Sequence, residues 1–195
     1  MKISIINGTN RIGNKTIQIS LVAQQLVEKS GYESVLITLD NFNQLFRGEY
    51  ITLKKANRLQ KKDIAHMIEA DILIFVVPTY HGGIPSPLKN FLDILKSKEA
   101  FDNKVIGIIG SSDDNRDLGA RQTAQIINAI LSYYKLKSFV IPRINITNFD
   151  DIDRDRLVNY IQYCISFLRI YDRSEQSYLG DARGHGFLRL SRLDG

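Results

Sequence analysis

Residues 2–16, which read KISIINGTNRIGNKT, decide the fold of this chain. An apolar run over residues 3–6 ends at Gly8, small and polar residues follow, and a helical pattern begins near Lys15. This order predicts a buried strand, a tight turn and a helix N-terminus within one short stretch. In an open α/β sheet such a turn lies at the carboxyl end of its strand, which is where ligands bind.

The turn in this stretch suits an anionic ligand. The new helix presents unpaired N–H groups and the positive end of its dipole, and Gly8 allows a close backbone approach. The polar side chains available for hydrogen bonding belong to Thr9, Asn10, Arg11, Asn14 and Thr16. Neither the G-x-G-x-x-G pattern nor the P-loop pattern is present. A polar turn with an N-cap and no ligand is therefore the alternative interpretation of these residues taken alone.

Length and composition predict one domain with a single full core, because the chain has 195 residues of which 44% are apolar. No apolar run approaches the roughly 20 residues that span a membrane, and the N-terminus opens directly into a strand pattern without a secretory signal. The single cysteine, Cys164, excludes an internal disulfide and lies in an apolar helical pattern that predicts core packing. We therefore expect a cytoplasmic protein without membrane association.

The net charge of +5 raises nucleic acid as a partner, but the pattern of the positive residues argues against it. The basic residues are scattered, and the cluster at 54–62 (KKANRLQKK) has no interleaved aromatic residues. A solvated helix surface explains this cluster better. We expect no nucleic-acid partner, whereas attraction of small anionic molecules is compatible with the charge.

Strands alternate with helices along the chain, which predicts an α/β protein with a doubly wound sheet. Strands are predicted at 3–6, 34–39, 71–78, 104–110 and 138–141. Helices are predicted at 15–31, 85–95, 120–134 and 151–171, and a further helix ends at 70 and starts at either 53 or 63. Five parallel strands fit the flavodoxin-like order 2-1-3-4-5 with helices on both faces, and the loops after strands 1, 3 and 4 then converge. Residues 1–171 form one predicted domain. Residues 172–195 are a tail for which disorder, a subunit-crossing arm and an expression remnant remain open.

The loop after the third predicted strand, residues 78–90, reads PTYHGGIPSPLKN. Gly82 and Gly83 allow backbone conformations that other residues avoid, and Tyr80 and His81 lie at the loop tip. An aromatic side chain beside flexible backbone N–H groups suits a planar ring with polar atoms on its rim. We interpret His81 as an exposed turn residue rather than a catalytic one.

These two loops resemble those of the NADPH-dependent FMN reductase family of flavodoxin-like proteins. The family pattern P-x-Y-[NH]-x-[GS]-[IV]-P-x-x-L-K-N is matched by Pro78, Tyr80, His81, Gly83, Ile84, Pro85, Leu88, Lys89 and Asn90. The opening turn resembles G-S-x-R-x-x-S-x-[NT] and keeps Gly8, Arg11 and Thr16. It departs from that pattern at Thr9 and Asn14, which both keep a polar side chain. The resemblance covers roughly residues 1–170.

The resemblance implies an FMN that is held non-covalently by three loops. It assigns the 5′-phosphate to Thr9, Arg11, Asn14, Lys15 and Thr16, with Gly8 and Asn10 completing that turn. It assigns the border of the isoalloxazine to Pro78, Thr79, Tyr80, His81, Gly82 and Gly83. The third loop, GSSDDNRDLG at 110–119, would place Ser111, Ser112 and Asp113 against the flavin. Because this loop is unusually acidic for the family, the choice between NADPH and NADH stays open.

The implied activity is an FMN-dependent NAD(P)H oxidoreductase that passes electrons to quinones, free flavin or similar small acceptors. The flavin carries the chemistry, so we expect no catalytic side chain, and the three histidines lack metal-ligand spacing. A homodimer or homotetramer is also implied. Two alternatives remain: a non-enzymatic flavodoxin-type electron carrier, which the positive net charge disfavours because such carriers are usually acidic, and a regulatory domain without flavin.

Overall fold

A parallel sheet lies at the centre of the computed structural model, which describes residues 1–44, 47–113 and 117–184, with side chains as far as 170. The strands are β1 Lys2–Asn7, β2 Glu33–Thr38, β3 Ile72–Pro78, β4 Val105–Ser111, β5 Phe139–Val140 and β6 Ile144–Ile146. The helices are α1 Lys15–Lys29, α2 Arg58–Glu69, α3 Ser86–Ile94, α4 Leu118–Tyr134 and α5 Asp151–Gly184. The strand order is β2-β1-β3-β4-β5 with every pair parallel, which confirms the predicted order.

The two faces of the sheet are covered by different helices, as predicted. Alternate residues of each strand point to opposite faces, so Ile5 packs with α1 and α5 while Ile6 packs with α2, α3 and α4. The central strands β3 and β4 are therefore buried along their whole length, which explains their continuous apolar sequences. Cys164 is fully buried on the α5 side, which confirms its predicted place in the core.

The fifth edge position of the sheet is divided between two short strands, so the prediction of one strand at 138–141 was wrong in extent. β5 pairs with the first two residues of β4, and β6 pairs with Ile109, Gly110 and Ser111. Pro142 lies between β5 and β6 and has no N–H group to donate to a ladder. The edge strand is interrupted there and resumes at Ile144.

Tyr160 of α5 fills the gap that this interruption leaves. Its hydroxyl oxygen accepts a hydrogen bond of 2.8 Å from the Ile108 N–H group, at a position on β4 that pairs with neither β5 nor β6. Burial raises the pKa of Tyr160, so the phenol stays protonated. Gly107 makes room for this contact, because a Cβ there would lie 3.3 Å from the Tyr160 oxygen and 3.1 Å from the Cys164 sulfur.

Most of the other boundaries differ from the predictions by one or two residues, and two helices differ by more. α5 continues to Gly184, whereas the helical pattern predicted an end at 171; residues 185–195 of the predicted tail lie outside the described residues. α2 begins at Arg58, between the two predicted starts, because Asn57 and Gln60 form a reciprocal capping box there. Among the described residues, no helix combines the length and apolar character needed to cross a bilayer.

Candidate functional site

The loops after β1, β3 and β4 meet at the carboxyl edge of the sheet and line one cavity of about 300 Å³. Its lining residues are Arg11, Ile12, Gly13, Asn14, Lys15, Thr16, Pro78, Thr79, Tyr80, Ser111, Ser112 and Asp113. All of them except Ile12 and Gly13 are among the site residues predicted from the sequence. The doubly wound topology thus brings the three predicted loops together, because parallel strands end at the same edge.

The other predicted residues of the opening turn lie behind or beside the cavity. Gly8 donates its N–H to the Val76 carbonyl oxygen at 2.8 Å, and a Cβ on Gly8 would lie 2.9 Å from that oxygen. The close approach that Gly8 permits is therefore to the neighbouring strand β3. Thr9 is buried, and its hydroxyl oxygen accepts the Arg11 N–H at 3.2 Å, which shapes the turn. Asn10, which lies between Thr9 and Arg11, is exposed.

The N-terminus of α1 opens into the cavity. Asn14 is its N-cap, and the side-chain oxygen of Asn14 accepts the Ile17 N–H at 2.8 Å and the Thr16 hydroxyl. The N–H groups of the first residues of any helix have no partner within the helix, and here those residues are Lys15 and Thr16, which both line the cavity. With the helix dipole behind them, these N–H groups form a site for an anion.

Two positive side chains border this helix N-terminus. The Arg11 guanidinium lies 5.6 Å from the centre of the Tyr80 ring, a distance typical of a cation–π contact. The Lys15 ammonium donates to the Thr147 carbonyl oxygen at 3.0 Å and lies 3.3 Å from the Asp113 carboxylate, whose side chain is fully exposed. Because an exposed ion pair is weak, an incoming phosphate can compete with Asp113 for Lys15.

Asp153 of α5 holds the segment that Lys15 contacts. One carboxylate oxygen of Asp153 accepts the backbone N–H groups of Thr147, Asn148 and Phe149 at 2.8–2.9 Å. Burial by itself would raise the pKa of Asp153, but these three hydrogen bonds and the positive charge of Arg156 together hold the pKa below its ordinary value. The carbonyl group that receives Lys15 is thereby fixed to the last helix.

The second loop contains a tight turn from Tyr80 to Gly83. These two residues exchange backbone hydrogen bonds of 3.2 and 2.9 Å, and the residues between them, His81 and Gly82, have positive φ angles of 48° and 76°. Positive φ at both central positions defines a type I′ turn. The side chain of His81 is exposed, as predicted for a turn residue, and the N–H groups of His81 and Gly82 take no part in the turn's own bonds.

The sequence analysis missed two residues of α4 that hold this loop. The Gly119 N–H donates to the Thr79 hydroxyl oxygen at 3.1 Å, and a Cβ on Gly119 would lie only 2.6 Å from the Pro78 carbonyl oxygen. Gln122 hydrogen-bonds the far side of the turn through both ends of its amide. A glycine in the first turn of a helix next to the predicted site was a usable signal for Gly119, whereas nothing in the sequence distinguishes Gln122.

The third loop is tied to the second loop and to β6. The Ser111 carbonyl oxygen accepts the Thr79 N–H at 3.0 Å, and the Ser112 hydroxyl accepts the Asn145 amide at 2.9 Å. Residues 114–116 of this loop lie outside the described residues. At its end, burial would raise the pKa of Asp117, but the guanidinium groups of Arg143 and Arg121 lower it overall. The negative charge of Asp117 is thus compensated by these two arginines.

The donor set fits a phosphorylated flavin. The helix N-terminus with Arg11 and Lys15 matches a terminal phosphate, which needs hydrogen-bond donors and positive charge. Tyr80 lines the cavity and offers an aromatic side chain to a planar ring, whereas the predicted site residues His81, Gly82 and Gly83 of the following turn lie outside the cavity lining. Gly8 and Gly119 keep the backbones close enough for these parts to face one cavity.

Comparisons with known proteins identify the family of this chain and other proteins with its fold. Residues 1–149 match the family model described as NADPH-dependent FMN reductase. No curated protein matches the sequence. The fold is similar to that of the NADH:FMN oxidoreductase EMOB in its apo form, with a TM-score of 0.62 and 20% identity over 83% of this chain and 87% of that chain.

Two further solved structures share the fold. One is a flavodoxin of Streptococcus pneumonia TIGR4, with a TM-score of 0.58 and 15% identity over 85% of this chain and 99% of that chain. The other is a flavodoxin, WrbA-like protein from Agrobacterium tumefaciens, with a TM-score of 0.57 and 17% identity over 86% of this chain and 96% of that chain. At these identities, similarity to the solved structures shows the fold alone. The family model, in contrast, matches the sequence itself over residues 1–149. The chain therefore belongs to the NADPH-dependent FMN reductase family, whose members are flavin-dependent oxidoreductases.

Proposed function

We propose that this protein is an FMN-dependent NAD(P)H oxidoreductase that passes electrons to a small acceptor such as a quinone or free flavin. One observation carries the proposal: a single cavity is lined both by the anion-binding N-terminus of α1 and by Tyr80, the first residue of the type I′ turn. The first part suits the phosphate of FMN and the second suits the edge of its ring. The family match supports the same cofactor.

The chain's own residues bind and orient the cofactor in this proposal. The N–H groups of Lys15 and Thr16, with the side chains of Arg11 and Lys15, hold the phosphate through charge-assisted hydrogen bonds. The Tyr80–Gly83 turn and the third-loop residues Ser111, Ser112 and Asp113 border the ring. Bound FMN would supply the centre that accepts hydride from the nicotinamide nucleotide and passes electrons on to the second substrate. The protein then needs neither a nucleophilic side chain nor a metal.

The positive charges of the site also bear on the nucleotide. Of the described residues that line the cavity, Arg11 and Lys15 carry positive charge and Asp113 carries negative charge, and a positive field favours the approach of an anionic dinucleotide. Compensation of Asp117 by Arg121 and Arg143 reduces the acidity of the third loop, so this loop presents less repulsion to a phosphate than its sequence suggests. We propose either NADPH or NADH as the donor, and a homodimer or homotetramer as the assembly.

The proposal is tested first by binding. FMN and riboflavin are titrated with the purified protein while flavin fluorescence is followed, and FMN should bind at least about tenfold more tightly because only FMN engages the helix N-terminus. Lys15→Met should reduce this difference in affinity between FMN and riboflavin, because it removes one of the positive charges assigned to the phosphate. Equal affinity for the two flavins would contradict the assigned phosphate position.

Activity is tested with the FMN-loaded protein under anaerobic conditions. NADPH or NADH should bleach the visible absorbance of the bound flavin, and an added quinone should restore it over many turnovers. Binding of FMN without bleaching by either nucleotide would favour an electron carrier instead, which the net charge of +5 makes the weaker alternative. Absence of FMN binding would favour a domain without flavin.

A further inference from the structure

One side chain of α4, Gln122, holds the turn at the tip of the second loop. Its Nε2 donates to the Gly82 carbonyl oxygen at 3.2 Å, and its Oε1 accepts the Ile84 N–H at 3.2 Å. The amide therefore brackets Gly83, and a Cβ on Gly83 would lie 3.4 Å from Oε1. A glutamine is suited to this task because its amide offers a donor and an acceptor side by side.

The turn needs such an external contact to acquire a fixed direction. The two hydrogen bonds between Tyr80 and Gly83 set its internal shape, including the left-handed conformation that is unfavourable for His81. They do not determine how the turn is oriented relative to the sheet. The first loop contacts the Tyr80 side chain, through Thr9 and Arg11. The far side of the turn is held by α4, through the Gln122 amide and through Leu118, whose side chain would lie 3.6 Å from a Cβ on Gly82.

α4 is itself seated firmly on the end of β3. The Gly119 N–H binds the Thr79 hydroxyl oxygen, and Gly119 has no side chain to separate the helix from Pro78. Gln122 follows Gly119 by three residues, so it projects from the same face of the helix. The face of α4 that contacts the strand thus also holds the turn.

We infer that Gln122 is a positioning residue for the flavin ring, an inference that rests on the proposed function. It orients the Tyr80–Gly83 turn so that Tyr80, which lines the cavity, faces the ring site. Gln122 itself does not line the cavity, so it acts through the turn and not by contact with the ligand. Its role is separate from that of the phosphate donors, which belong to the first loop.

The inference is tested with Gln122→Met, which keeps the length of the side chain and removes both hydrogen bonds. Gln122→Glu keeps the acceptor for Ile84 but places a carboxylate against the Gly82 carbonyl oxygen. Gln125→Met, on an exposed position of the same helix, is the matched control. Gln122→Met should bind FMN about tenfold more weakly, the loss expected for two neutral hydrogen bonds, and Gln122→Glu should also bind FMN more weakly because one bond is replaced by repulsion between two oxygens, while the control binds as the wild type does.

Two readouts separate positioning from a general loss of structure. The ratio of riboflavin affinity to FMN affinity should stay unchanged in Gln122→Met, because the phosphate donors are untouched, while the visible spectrum of the bound flavin should shift. In the ligand-free protein, hydrogen exchange of the Ile84 amide should accelerate about tenfold in Gln122→Met and not in Gln125→Met.

The outcomes distinguish this inference from the proposed function. Wild-type affinity with an unshifted flavin spectrum in Gln122→Met overturns the inference and leaves the proposed function standing. A wild-type protein that binds no FMN overturns the proposed function, and the Ile84 exchange rate then still decides whether Gln122 orients the turn. Unchanged exchange at Ile84 overturns the inference whatever the protein binds.

Discussion

Replacing Tyr160 by phenylalanine removes one oxygen atom from the interrupted edge of the sheet and leaves the Ile108 N–H without its partner. Tyr160 is 4% exposed and Ile108 is fully buried, so water does not reach the orphaned group easily. A buried N–H that loses its partner costs about 1–3 kcal/mol of the free energy of unfolding. In a domain of this size, each kcal/mol lowers Tm by roughly 2–4 °C.

The measurement is urea unfolding followed by far-ultraviolet circular dichroism, with Tyr163→Phe as the control. Tyr163 lies on the same helix and is 42% exposed, so its substitution should change the free energy of unfolding by no more than about 0.5 kcal/mol. FMN affinity should be unchanged in both variants, because neither tyrosine lines the cavity. If Tyr160→Phe lowers the free energy of unfolding by less than about 0.5 kcal/mol, as the control does, the Ile108 N–H does not depend on the Tyr160 hydroxyl for its hydrogen bond.

Three further substitutions test the site and its support. Gly119→Ala should destabilise the protein by about 1–3 kcal/mol in urea, although alanine ordinarily favours a helix, because its Cβ would meet the Pro78 carbonyl oxygen at 2.6 Å; unchanged stability would contradict that contact. Lys15→Met should lower FMN affinity about tenfold in a fluorescence titration and leave riboflavin affinity unchanged, since only the phosphate engages the ammonium; an equal loss for both ligands would refute the assignment. Because the pKa of Asp153 is lowered on folding, its contribution to stability is fully present above the unfolded pKa of about 3.9 and is lost progressively as the pH falls below that value towards the lower pKa of the folded state. Unfolding midpoints measured between about pH 6 and pH 3 should therefore fall less steeply for Asp153→Asn than for the wild type, and parallel curves would argue against this linkage.

The strand order and the position of the site could be predicted from the sequence because both depend on local patterns. The apolar run of β3 marks a strand buried on both faces, and the polar turn after β1 marks a carboxyl edge, whatever the rest of the chain does. The family motif in the second loop added FMN as the proposed ligand.

What the sequence could not reveal depends on contacts between distant residues. Gln122 resembles any other polar residue of a helix until the turn is placed beside it, and Gly8 is needed for an approach to β3 that no local pattern describes. The break between β5 and β6 follows from Pro142, but the resumption at Ile144 requires the neighbouring strand and Tyr160. β6 has only three residues, and an apolar pattern that short does not predict a strand by itself.

The bond from Lys15 to the Thr147 carbonyl joins residues that are 132 positions apart in the chain. The Lys15 ammonium is therefore held at the cavity only when the segment between β6 and α5 is packed beside the N-terminus of α1. A ligand that requires this ammonium binds molecules in which these elements have come together. Cofactor capture would then act as a checkpoint on folding, stabilising by mass action only those chains in which the first and last elements have met.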